Sequence, residues 1–309
     1  MKKTSNTIVF FGSGPVAAES LRLLAEYSEI EAVITKPRPA HHKGSVPVLE
    51  LAEKLGLPVF TATNKRSLDE LFATKPVTSK LAILIDFGII VSQKVIDYFP
   101  LGIINSHFSL LPEWRGADPI TFSILSGQKQ TGISLMMLVA GMDEGPLLAQ
   151  TPYDLPDDIT TPKLTEDLIE LSDKTLQQII PLWFEGQITS MPQERVSIAR
   201  SDEASYSRKL SKADSDLDWE KPAELLEREI RAFIEWPKSR TTLGKLELVI
   251  TKAHVIDKKG EPGTRAIIEK LPVIFCHDGA LAIDKLKPVG KKEMTGEAFI
   301  AGYKQLFLK

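Results

Sequence analysis

Cysteine is nearly absent from this chain: Cys276 is the only one in 309 residues. A lone thiol excludes a disulfide within the chain and any cysteine-based metal cluster. It ends the apolar run Val273-Ile274-Phe275-Cys276, which predicts a buried, inert side chain. Long hydrophobic runs are missing too. No uncharged apolar stretch approaches the roughly 20 residues a membrane helix needs. Met1-Lys2-Lys3-Thr4-Ser5-Asn6 leads into a strand without an apolar targeting segment. A cytoplasmic protein without membrane contact is expected. Strong net charge is the third lack. At −3 the surface as a whole is no trap for nucleic acid. The acidic excess lies in the first two thirds, however, and residues from 205 on are net basic, which predicts an anionic partner for the tail.

What is present centres on Ile103-Ile104-Asn105-Ser106-His107-Phe108-Ser109-Leu110-Leu111-Pro112. The apolar opening reads as a buried strand. Residues i and i+2 of a strand point the same way, so Asn105 and His107 face one place. Pro112 rules out helix at Leu111. In an open α/β sheet, ligands bind beyond the carboxyl ends of the strands, where this pair falls. Alone, the pair fits a turn-forming Asn and a satisfied His better than a catalytic pair. Gly141-Met142-Asp143-Glu144-Gly145-Pro146 changes that. It sets a carboxylate in a glycine-flanked turn after the strand 132–138. Asn105, His107 and Asp143 on neighbouring strand ends would form an acid/base and oxyanion set.

The remaining pattern predicts an α/β fold: a Rossmann-like, mostly parallel sheet domain over 1–186, a polar linker over 187–207, and a small OB-like β-barrel domain over 208–309. Strands are expected at 7–11, 31–35, 57–60, 81–85 and 147–153, with helices between. Thr161-Pro162 opens a long amphipathic helix. A helix over 223–234, strand-like runs at 246–250, 264–268, 273–276 and 281–286, and a last helix over 296–306 make up the tail. Gly12-Ser13-Gly14-Pro15 after the first strand is a weak match to a dinucleotide fingerprint. The second strand ends in Thr35-Lys36-Pro37-Arg38 without the ribose-binding acid, so a tight turn or an anion loop is the better reading. Adjacent His41 and His42 are poorly spaced for one metal ion and read as solvated loop residues; no metal is expected.

The run Asn105 to Pro112 with Asp143 downstream resembles the folate-dependent formyltransferases. Trp114-Arg115-Gly116-Ala117-Asp118-Pro119-Ile120 narrows the likeness to the branch that acts on charged initiator tRNA. Leu210-Ser211-Lys212, Ile230-Arg231-Ala232-Phe233 with Trp236-Pro237, and Gly290-Lys291-Lys292 with Met294 point the same way. The likeness spans essentially the whole chain. It implies a monomeric enzyme that moves a formyl group from 10-formyltetrahydrofolate to the α-amine of initiator methionyl-tRNA. Asn105, His107 and Asp143 match the family's catalytic residues. Ser109, Leu110, Leu111 and Pro112 match its folate-binding segment, and Asp86, Phe87 and Gly88 would line the pterin pocket. Phe108 stands where the tRNA branch usually carries Gly. The loop 36–47 is shorter than its counterpart, whose basic residue serves at the tRNA acceptor end. Arg38 or Lys43 would take that role, and Lys209, Lys212, Lys291 and Lys292 would face tRNA on the tail domain.

Three other readings compete. A sugar-nucleotide N-formyltransferase would share the catalytic run but needs no basic tail. A purine-pathway formyltransferase would lack such a tail. A non-catalytic folate or RNA-binding module would not require the trio.

Overall fold

The structure, a computed structural model, describes residues 7–41, 44–200 and 203–307. The chain divides into two compact units of discontinuous segments. One takes residues up to Pro119, Gln130–Asp154 and Thr165–Ser207; the other takes Ile120–Lys129, Leu155–Leu164 and the chain from Arg208 on.

The first unit begins as alternating strands and helices. β1 (Thr7–Phe11) leads to α1 (Pro15–Tyr27), β2 (Glu29–Thr35), α2 (Pro47–Lys54), β3 (Val59–Thr61), α3 (Lys65–Ala73), β4 (Leu81–Leu84), α4 (Gln93–Ile96) and β5 (Ile103–His107). Local chemistry marks the helix starts. Prolines open α1 and α2, Asn64 and Ser67 form a reciprocal capping box on α3, and the Ser92 hydroxyl caps α4. After β6 (Arg115–Gly116) and α5 (Pro119–Leu125), which from Ile120 on belongs to the second unit, come β7 (Gln130–Met137) and β8 (Leu147–Asp154). α6 (Thr161–Phe184), α7 (Gln193–Val196) and β9 (Tyr206–Ser207) follow.

The main sheet has the order β3-β2-β1-β4-β5-β7-β8. Its first five strands are parallel, and β7 and β8 add an antiparallel edge. Ile8, Phe10, Leu81, Ile83, Ile103 and Ile104 are completely buried, as strands covered on both faces require. Phe11 anchors an aromatic cluster, packing edge-on against Phe87 and stacking on Phe72. No helix among the described residues is long and apolar enough to cross a membrane.

The second unit contains α8 (Ala223–Ala232), β10 (Ser239–Leu243), β11 (Leu246–Ile256), β12 (Arg265–Ile268), β13 (Leu271–Phe275), β14 (Ala280–Pro288), β15 (Met294–Thr295) and α9 (Gly296–Tyr303). Leu226 and Ile230 of α8 pack with Leu248, Ile250, Ile283 and Phe299 into one core. The sheet is antiparallel, in the order β10-β11-β14-β13-β12, with β15 on β14. The expected small antiparallel domain is therefore present as an open sheet; no pairing among the described residues closes it into a barrel. β12 and β13 form one hairpin whose two turn residues, Glu269 and Lys270, both have positive φ (49° and 67°). Cys276 is 2% exposed, and burial pushes its thiol up to about 11.

Candidate active site

Alternation along β5 sorts its polar side chains. The Ser106 hydroxyl faces α6 and meets that of Ser172 at 2.7 Å. Asn105 and His107 project from the opposite face, as two-residue periodicity requires. β5 is held between β4, where Leu84 is opposite Asn105, and β7, where Ser134 is opposite His107. Both side chains are buried, at 8% and 6% exposure. The side-chain amide of Asn105 has no hydrogen-bond partner among the described residues, so its N–H groups are uncommitted donors.

Nε2 of His107 lies 3.0 Å from the Trp114 carbonyl. A carbonyl can only accept, so Nε2 carries the proton. The other ring nitrogen faces Asp143, with Nδ1 3.8 Å from Oδ2. That carboxylate oxygen also accepts a 2.8 Å hydrogen bond from the Gly116 N–H. Asp143 sits in the β7–β8 turn with φ +51°, left-handed backbone that costs a non-glycine residue energy. Gly145 makes the turn possible, because a Cβ there would lie 1.7 Å from the Met137 carbonyl oxygen.

The loop after β5 is braced from far along the chain. β6 pairs with β9, setting Arg115 opposite Tyr206 and Gly116 opposite Ser207. The Ser205 hydroxyl accepts from Trp114 N–H, and the Ser207 hydroxyl accepts from Asp118 N–H. Gly116 has φ +112°, and a Cβ there would meet the Ser207 carbonyl oxygen at 2.4 Å. From α7, Gln193 donates through Nε2 to the carbonyls of Asp143 (2.8 Å) and Gly145 (2.9 Å), and its Oε1 accepts from Arg115 at 2.8 Å.

Ser109, Leu110, Leu111 and Pro112 are all buried. The Ser134 hydroxyl donates to the Ser109 carbonyl and accepts from Leu111 N–H, while Gln150 and Ser197 donate to the Leu111 carbonyl. The Leu111–Pro112 peptide is cis. The backbone groups of Ser109 and Leu111 are thus taken up inside the unit. Phe108 is also buried, at 6%.

Beyond β4, Asp86 has φ +45° and Gly88 +63°. More than a third of Asp86 is open to solvent, yet its carboxyl sits in a recess dense enough to push it up to about 6. Desolvation is the main cause; Lys36 opposes it and Asp118 adds to it. The recess needs glycine at 14, where a Cβ would fall 2.0 Å from Asp86 Oδ2. Phe87 points into the aromatic core and exposes 2% of its surface.

The predicted basic contacts are scattered. Arg38 is engaged by Glu50 at 2.8 Å and by the Gly44 carbonyl. Lys43 lies outside the described residues. Lys209, Lys212, Lys291 and Lys292 are exposed on the second unit, and the Lys291 ammonium donates to the Tyr303 hydroxyl.

Residues 7–180 match the family described as Formyl transferase, and 209–304 match Formyl transferase, C-terminal domain. The chain belongs to the formyltransferase family. Among curated formyltransferases it is 34% identical, over 95% of its length and 96% of the relative, to the methionyl-tRNA formyltransferase of Methylococcus capsulatus. It is 36% identical to the enzyme of the same name from Ectopseudomonas mendocina, over 93% of this chain and 92% of that one. Solved structures share the fold at lower identity. An N-formyltransferase from Helicobacter canadensis, in complex with folinic acid and dTDP-3-aminofucose, aligns with a TM-score of 0.65 and 18% identity, covering 92% of this chain and 99% of that one. HypX from Aquifex aeolicus with tetrahydrofolic acid aligns at 0.62 and 15%, covering 95% of this chain and 46% of that one.

Sequence reasoning singled out Asn105, His107 and Asp143, and the structure brings them to one sheet edge. It missed Gln193, Ser205 and Ser207, which lie in a stretch whose only visible trait was polarity. Ser134 left a signal: a hydroxyl within the apolar strand Ile133-Ser134-Leu135 needs an internal partner.

Proposed function

We propose that this enzyme transfers the formyl group of 10-formyltetrahydrofolate to the α-amine of initiator methionyl-tRNA. The observation that carries the reading is the uncommitted Asn105 amide on the same strand face as a His107 ring whose Nδ1 lies 3.8 Å from Asp143. Attack by the amine on the formyl carbon puts negative charge on the formyl oxygen. Asn105 donates to that oxygen from a buried position, where such a donor acts most strongly. The amine must lose a proton, and the departing folate nitrogen must gain one. His107 and Asp143 move that proton, directly or through water, and the carboxylate stabilises the ring while it is charged. The segment Ser109 to Pro112 and the loop Asp86 to Gly88 would hold the folate. Lys209, Lys212, Lys291 and Lys292, all exposed on the second unit, would contact the tRNA, with Arg38 or Lys43 at its acceptor end.

The relatives that match at 32–36% identity over nearly the whole chain favour the tRNA substrate over an amino-sugar nucleotide. The test offers both acceptors to the purified protein with 10-formyltetrahydrofolate. Formylated methionyl-tRNA and no formylated sugar is the expected result; the reverse overturns the reading. Asn105→Ala should lower turnover on the tRNA by about 10²–10³ through loss of the oxyanion donor, without loss of fold.

A further inference from the structure

Gln193 is 4% exposed and lies about fifty residues from the turn that it touches. It uses its side chain fully in one direction. Both amide hydrogens go to main-chain carbonyls of one turn, those of Asp143 at 2.8 Å and Gly145 at 2.9 Å. Its oxygen accepts from Nη2 of Arg115 at 2.8 Å, and Nη1 of the same guanidinium lies 3.5 Å from Glu144 Oε1. The residue after Arg115, Gly116, supplies the N–H that holds Asp143 Oδ2. One side chain therefore ties the Asp143–Glu144 and Gly145–Pro146 peptides to the loop that orients the carboxylate. The tie matters because Asp143 is held at φ +51°, left-handed backbone that costs it more than it would a glycine.

We infer that Gln193 is a positioning residue that fixes the Asp143 carboxylate against His107, an inference that rests on the role given to Asp143 above. Leucine at 193 would fill similar space but leave two turn carbonyls and one buried guanidinium N–H without their partner. The turn would then be free to relax, and an ångström of misplacement at a reacting group can cost about a hundredfold in rate.

The experiment compares the full-length wild type with Gln193→Leu, Asp143→Asn and the double variant. Gln193→Met replaces Gln193→Leu if the latter does not fold, as judged by its melting transition. Gln193→Leu should lower kcat by about ten- to a hundredfold, with KM for both substrates within about twofold. The double variant should be no slower than Asp143→Asn, because positioning a lost carboxylate is worth nothing. The His107 imidazole resonances of Gln193→Leu should move toward those of Asp143→Asn. A kcat within twofold of wild type, or losses that simply multiply in the double variant, would overturn the inference, as would imidazole resonances unchanged from wild type. The resonance measurement uses no substrate, so it decides the positioning role even if the wild type proves inactive on charged tRNA.

Discussion

Oδ2 of Asp143 lies 3.8 Å from Nδ1 of His107 while accepting a 2.8 Å hydrogen bond from the Gly116 N–H. The carboxylate thus has two duties that can be separated. Orientation needs only an acceptor oxygen, whereas support of a charged imidazole needs the negative charge. Asp143→Asn keeps an acceptor for Gly116 and removes the charge. It should leave the melting temperature nearly unchanged and lower kcat by about 10²–10⁴, read by single-turnover formylation. Turnover near that of wild type would remove the charge from the mechanism.

Asp86 gives a pH prediction of defined sign. Its folded carboxyl is pushed up to about 6 from an ordinary value of 3.8, chiefly by desolvation. Between those values the unfolded chain is ionised while the folded chain holds the proton, so stability falls as pH rises from about 4 to about 6 and is flat above. Asp86→Asn removes this penalty. It should raise stability at pH 7.5 by about 1 kcal/mol, after allowance for the carboxylate's open side. At pH 4 it should change little. Thermal melts at the two pH values make the comparison, and an equal effect at both would refute it.

Gly145→Ala should disrupt the turn itself. The added Cβ would fall 1.7 Å from a backbone carbonyl that cannot swing aside as a side chain could. A loss of about 1–3 kcal/mol in chemical denaturation is expected, accompanied by a fall in kcat. Gly186→Ala is the matched control. Unlike Gly145, that glycine has positive φ, but nothing lies within 4 Å of the added carbon, so stability should fall by less and kcat should hold.

Lys291 and Lys292 together changed to Glu should raise KM for charged tRNA several-fold, make binding less sensitive to salt, and leave KM for the folate unchanged. Equal effects on both substrates would assign the pair to stability instead. The Tyr303 hydroxyl already accepts a hydrogen bond from the Lys291 ammonium, so Lys292→Glu alone reports on the less constrained of the two.

Much of this was legible in the residues because periodicity records burial. The run Leu81 to Leu84 reads as a strand covered on both sides, and it is one. Asn105 and His107 share a face because they are two residues apart, and a glycine-flanked turn delivers Asp143 to the same edge. β10 was not legible: Ser239-Arg240-Thr241-Thr242-Leu243 has too few apolar residues to announce a strand, and it pairs because β11 supplies the ladder. The role of 187–207 was hidden for a related reason. Gln193, Ser205 and Ser207 act through single hydrogen bonds to main-chain atoms remote in sequence, and such contacts leave no repeat or spacing. The Leu111–Pro112 cis peptide also escapes a reading that can place the proline but not its isomer.

The short ribbon of β6 and β9 bears on how this chain could be cut. A fragment stopping where α6 ends would keep the amide, the imidazole and the carboxylate. It would forfeit Gln193, Ser205 and Ser207, the props that aim them. Any cut before Ser207 therefore removes the strand that buttresses the loop of the reactive groups, although the groups themselves lie upstream of it.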